Sequence, residues 1–247
     1  MSGNKIMDCT HEPDNTMESE QLQPTPDSDL YKLSENIVND IFKSVLTELK
    51  YSKLQTGDLL FFCDTRQWYN RVIDWATDSS FCHIGIVLRD PVLTDGEYKG
   101  LYVLHSTSPE LVDIEDKKRK MGVQITKLED TIANYESVYI RHLDTVRDAK
   151  FNNNLKLAHS LVHDIPYDFS PRNWIVSGFY HLGVWDYKVK RHTDAFWCSA
   201  LVGFVYVKLG LLPKDFDWSN WAPCDFSGNK FILTGDNKLE TIVELAN

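Results

Sequence analysis

Cysteine is scarce in this chain and is never arranged as a C-x-x-C pair. The five cysteines, Cys9, Cys63, Cys82, Cys198 and Cys224, are an odd set at irregular spacing. That argues against a disulfide framework or a zinc knuckle and fits a reducing compartment. Basic residues are outnumbered, 26 Lys and Arg against 36 Asp and Glu, for a formal net charge of −10. The one basic run, Lys117-Lys118-Arg119-Lys120, reads as a solvated loop, so no nucleic acid is expected as a partner. No stretch approaches the roughly 20 apolar residues of a spanning helix, and the N-terminus has no apolar signal core. Membrane contact is not indicated, and the expected setting is soluble and intracellular. No internal repeat is visible.

What is present suffices for one sizeable core: 247 residues, 43% hydrophobic and 12% aromatic. A disordered acidic tail is expected over 1–28, where apolar groups are too few to offset the entropy of ordering. One catalytic domain is expected over 29–247. Leu30, Leu33, Ile37, Ile41, Val45 and Leu49 recur near helical spacing and predict an amphipathic helix docked on that domain. Strands are expected at 59–62, 81–88, 101–105, 123–125 and 138–140, with a helical turn at 127–134 and a helix across 144–163 stopped by Pro166. The Trp-rich segment 67–76 reads as helical, and the aromatic stretch 171–191 as a helix followed by a lid-like loop. A last helix, capped by Thr193 or Asp194 and ended by Gly210, is apolar nearly all round and belongs in the core.

Two strands and that helix carry the candidate chemistry. Turn signals Asp90-Pro91 and Asp95-Gly96 join the strands at 81–88 and 101–105 into an antiparallel hairpin. With Leu88 opposite Gly100, His83 falls directly opposite His105, within reach across the pair. His83 shares a strand face with Gly85, which leaves room for another element, expected to be the helix that opens at Cys198. A cysteine in the first turn of a helix meets unpaired amides that favour a thiolate, and its own amide is placed to donate to an oxyanion. Cys198 as nucleophile, His83 as base and His105 orienting the His83 ring make a triad. A buried, inert role is the commoner one for a lone cysteine, and Cys63 and Cys224 are read that way. A zinc site built from Cys82 or Cys198 with His83 and His105 is the rival, disfavoured because neighbouring strand residues face opposite ways. The remaining histidines are read as surface or packing residues, and no cofactor is required.

In this order the motifs Thr56-Gly57-Asp58-Leu59, Cys82-His83-Ile84-Gly85-Ile86-Val87, Pro166-Tyr167-Asp168 and Cys198-Ser199-Ala200-Leu201-Val202 resemble the circularly permuted papain-like amidases of the NlpC-type superfamily, including YiiX-like and poxviral relatives. The resemblance covers about 55–212. It implies an α+β, permuted papain-like fold, with a small antiparallel sheet or barrel packed against the cysteine helix. It also implies His83 as base, Cys198 as nucleophile, and Tyr167 and Ser199 beside the substrate. Bacterial members often carry glutamate where this chain has His105, whereas non-permuted relatives use histidine. The insertion over 170–194 departs from the family pattern.

The function these readings predict is hydrolysis of a peptide, isopeptide-like or other amide bond through an acyl-thioester. A thioester-forming acyltransferase or lipid deacylase acting on an acyl-lipid is the second reading, and a non-catalytic interaction module that keeps the fold is the third.

Overall fold

A computed structural model describes residues 26–64, 66, 81–93, 98–167, 196–228 and 233–245. The expected tail up to residue 25, the Trp-rich helix at 67–76, the aromatic stretch 171–191 and the candidate caps Thr193 and Asp194 lie outside the described residues. The chain divides after Ser52. The first unit holds α1 (Pro26–Tyr51), which opens on a proline, the residue whose missing amide costs nothing in a first helical turn. Its Leu30, Leu33, Ile37, Ile41, Val45 and Leu49 are exposed.

The second unit, Lys53–Asn247, is α+β. Its elements are β1 (Leu59–Cys63), β2 (His83–Arg89), β3 (Leu101–Thr107), β4 (Gly122–Lys127), α2 (Leu128–Ile132), β5 (Ser137–Arg141), β6 (Leu143–Asp144), α3 (Ala149–Val162), α4 (Cys198–Leu209), α5 (Pro223–Ser227), β7 (Lys238–Leu239) and β8 (Val243–Glu244). Six strands make one sheet in the order β4-β3-β2-β1-β5-β8, every pair antiparallel. β6 and β7 form a separate two-stranded ribbon.

The central strands are buried on both faces, which is why they read as continuous apolar runs rather than alternating ones. One face presents Leu59, Phe61, Ile84, Ile86, Leu104 and Ile125 to the core shared with α3 and α4. By alternation, the other face carries Leu60, Phe62, His83, Gly85, Val87, Val103 and His105, all within the sheet's buried set save the glycine, which is likewise covered. α4 lies against α3, β2 and β3, and buries almost its whole circumference, as an all-apolar helix should. It ends where Gly210 turns left-handed at φ 80°, so that Leu211 N–H donates back to Tyr206 O over 2.9 Å.

The Thr56-Gly57-Asp58 motif is architectural. The buried Asp58 carboxylate accepts from Gln55 N (3.0 Å), Leu143 N (2.9 Å), His142 Nδ1 (2.8 Å) and Arg147 Nη2 (3.2 Å), and Tyr206 Oη donates to Gly57 O over 2.6 Å. One carboxylate thereby joins the start of β1, β6 and the approach to α3, while α4 is tied in by a tyrosine.

The helix expected across 144–163 begins only at Ala149. Asp144 is drawn into β6 opposite Lys238, and Asp148 caps the helix by accepting from Phe151 N over 2.8 Å. Its end is not Pro166 but Asp164, which turns left-handed at φ 61°. Pro166 instead sits in a bridge to Gly122 and accepts from Phe196 N over 3.1 Å. At Gly122 (φ 128°) a Cβ would lie 2.4 Å from Ile165 O, so only glycine admits this crossing.

Candidate active site

Three pieces of backbone hold the candidate residues. Cys198 is the first residue of α4, after Trp197 in the N-cap position, so the expected cap three or four residues earlier is replaced by a later start. The chain enters this helix along a fixed track. Phe196 bridges Tyr167, its carbonyl accepts from Ser106 Oγ over 2.6 Å, and Ser106 is the strand neighbour of His105. The cysteine helix is therefore tied directly to the strand that carries the second histidine.

The β2–β3 register differs from the expectation by two residues. Ile86 pairs with Leu104 and Leu88 with Tyr102, which sets Gly85, not His83, opposite His105. A shift of two preserves which face each side chain occupies, whereas a shift of one would have parted the imidazoles. The two rings meet on the diagonal: His83 Nε2 lies 3.0 Å from His105 Nδ1. Gly85 makes this possible. A Cβ there would stand 2.6 Å from Val103 Cγ1 and 3.3 Å from His105 Cβ, so the space it leaves is filled by β3, not by the helix at Cys198. Gly85→Ala is expected to cost about 1–3 kcal/mol through overpacking and to push the imidazoles apart. Chemical denaturation, together with the histidine ring signals in NMR, checks both effects.

His105 is held from its far side. Its Nε2 lies 3.0 Å from Thr126 Oγ1, Thr126 Oγ1 lies 2.6 Å from Thr131 Oγ1, and Thr131 Oγ1 donates to Lys127 O over 2.8 Å. The carbonyl at the end of this chain can only accept, which assigns every proton along it. Thr131 gives its proton to Lys127 O, Thr126 gives its own to Thr131, and His105 Nε2–H donates to Thr126. His105 Nδ1 then accepts from His83 Nε2–H, leaving His83 Nδ1 with a free lone pair. Both histidines are neutral in this arrangement, because burial lowers His83 to about 3 and holds His105 well below its usual range, helped by repulsion from His83.

Cys198 lies at the end of β2. The backbone amides of Ile84, Ser199 and Cys198 itself favour its thiolate, and Ile84 is the residue after His83. The amides at the helix start act in the expected direction but are outweighed. Burial dominates and raises the thiol to about 11, with the three amides and the Ser199 hydroxyl only partly opposing it.

The other candidates sort as follows. Ser199 is buried and its hydroxyl donates to Trp221 O over 2.5 Å, so it fixes the first turn of α4 rather than facing a substrate. Tyr167 is partly buried at the bridge to Phe196, two residues before the cysteine. Cys82 turns its thiol to Phe62 O at 3.3 Å and both nitrogens of His105 are engaged, so these residues do not gather as zinc ligands. Cys63 is buried and Cys224 half-buried, and neither forms a disulfide.

Sequence reasoning missed Tyr135, whose ring stacks on His83 with centroids 5.8 Å apart and planes 2° from parallel. Its phenol is raised by burial and by the nearby sulfurs of Cys82 and Cys198, with Thr107 opposing the shift. It also missed Thr126, Thr131 and Ser106. Tyr135 sits in a turn after a one-and-a-half-turn helix, where no periodicity marks a functional position.

Comparison with known proteins adds little that is specific. No protein-family profile and no curated protein matches the chain. Among solved structures, the chain is similar to one described as the metalloprotein yiiX from Escherichia coli O157:H7. That match has 23% identity and a TM-score of 0.41, and covers 62% of this chain and 65% of that one. The likeness thus spans less than two thirds of the length of either chain.

Proposed function

We propose that this protein is a cysteine hydrolase of permuted papain-like architecture that cleaves an amide bond through an acyl-thioester on Cys198. One observation carries this reading: a neutral imidazole pair, oriented by hydrogen bonds, adjoins Ile84, whose backbone amide favours the thiolate of the helix-start cysteine. Cys198 sulfur attacks the carbonyl carbon while its proton passes to His83 Nδ1. The carbon–nitrogen bond then breaks, and the amine leaves with that proton. Water, deprotonated by the same nitrogen, cleaves the thioester and restores the thiol. Because the resting pair is thiol and imidazole, proton transfer accompanies attack rather than preceding it. His105 supports the charge that forms on His83, and the Cys198 and Ser199 amides, which act on the resting sulfur, meet the oxyanion as the carbonyl adds.

The test is trapping. The wild-type chain is incubated with peptide, isopeptide and phospholipid panels and its intact mass followed after acid quench. An acyl adduct is expected on Cys198 with a peptide or isopeptide, absent in Cys198→Ala. An adduct from phospholipid alone would move the reading to a lipid deacylase or acyltransferase. No adduct with any panel would favour the interaction module.

A further inference from the structure

A second cluster of titratable groups lies outside the catalytic candidates, where the loop between β3 and β4 meets the end of α3. Among the described residues, Glu115, His159 and His163 are the three that gather as possible metal ligands, with one ligand atom from each lying within 4.8 Å of the others. His159 and His163 are one helical turn apart and so share a face. Glu115 Oε2 lies 2.9 Å from His159 Nε2 and 3.5 Å from His163 Nε2. Zinc bonds of about 2.0–2.2 Å in a tetrahedron set neighbouring ligand atoms about 3.3–3.5 Å apart, so these separations need little adjustment.

His163 Nδ1 lies 3.1 Å from Asp164 Oδ2 on the far side of the ring from Glu115. A carboxylate on the far nitrogen is the outer support that metal-bound histidines characteristically have. His159 is 2% exposed and its Nδ1 has no hydrogen-bond partner. Lys120 does not fill the gap: its ammonium is taken up by Asp113 (2.7 Å), Asp116 (3.4 Å) and Asp164 (2.5 Å), while the ion-pair partners of Glu115 among the described residues are the two imidazoles.

We propose that Glu115, His159 and His163 bind one divalent cation of the zinc class, clamping the 108–121 loop to the end of α3. Three protein ligands leave a fourth position for water, and His163, 37% exposed, forms the open side. The clamp is separate in its residues from the cysteine site and does not depend on that site being catalytic.

The full chain, stripped with chelator, is titrated with Zn2+ and with Co2+, reading heat and visible d–d absorption, and its unfolding temperature is measured with and without metal. One cation per chain is expected. The Co2+ spectrum should be tetrahedral and lack thiolate charge transfer, and the metal should raise the unfolding temperature. Glu115→Gln and His163→Ala should each weaken affinity at least tenfold, and Cys198→Ala should leave it unchanged. His163 is the milder replacement because it is partly exposed, and circular dichroism confirms that the variants fold. No stoichiometric binding, or binding that survives both variants, would overturn the proposal. Binding lost in Cys198→Ala would place the metal at the other site and overturn it equally.

Discussion

His83→Ala is expected to slow acylation of Cys198 by about 10²–10⁴-fold, the range typical for loss of a positioned general base. The larger part of that range applies here because the thiol is raised to about 11 and offers almost no free thiolate near neutral pH. Residual reaction should then climb with pH towards 11, since hydroxide alone must generate the nucleophile. Thr126→Val provides the graded comparison. It removes the acceptor for His105 Nε2–H, so His105 is free to adopt the other tautomer and turn an N–H towards His83. His83 would then bind the proton on Nδ1, the nitrogen needed for the thiol. A loss of about 10–100-fold is expected, by analogy with outer-shell partners of functional histidines. Thr126→Ser keeps the hydroxyl and should restore most of the rate. Single-turnover acylation across pH measures all three. A Thr126→Val enzyme with wild-type rate and pH profile would show that the relay has no part in positioning the base, and an unaffected His83→Ala would remove the base altogether.

Much of this arrangement is legible in the chain, and the parts that are not have physical reasons. β2 and β3 are buried on both faces, so hydrophobic patterning alone does not fix whether the two histidines share a side. The register itself is set by the turn. Asp90 takes φ 43°, its amide donates to Gly100 O and its carboxylate accepts from Gly100 N, each over 2.8 Å, which closes the loop on Asp90 and Gly100 rather than on Leu88 and Gly100. Local turn chemistry of this kind leaves several registers open in a sequence with Asp90-Pro91 and Asp95-Gly96 both present. The core position of α4 followed from its composition. Its first residue did not, because Thr193 and Asp194 are better cap residues than Trp197, and the helix start is decided by the Phe196 tether to Ser106 and Pro166. His159 and His163 have visible helical spacing, but Glu115 reaches them from a loop 44 residues away from His159, and such a meeting leaves no trace in periodicity.

Acid should destabilise this fold well before its carboxylates protonate. A histidine whose folded pKa lies below its unfolded value binds its proton more readily when unfolded, so stability is full above about 6.5 and is lost as pH falls towards the folded value. His83 is lowered from 6.5 to about 3, and His105 is lowered as well. Between pH 6.5 and 4.5 the unfolded chain therefore takes up as many as two protons that the folded one refuses. Each proton contributes a slope of about 1.4 kcal/mol per pH unit, so a loss of several kcal/mol across the window is expected. The thiol gives the mirror image: raised from 9.0 to about 11, it ionises first in the unfolded chain, and stability should fall again as pH rises through that interval. Urea unfolding at a series of pH values measures the slopes, and a His105→Asn variant should lose about one proton from the acid limb. Such a variant with an unchanged acid limb would mean that the imidazole pair is hydrated and charged in solution. The same result would undercut the neutral thiol–imidazole starting state, because one cause, burial at the end of β2, sets both the acid sensitivity and the need for proton transfer during attack.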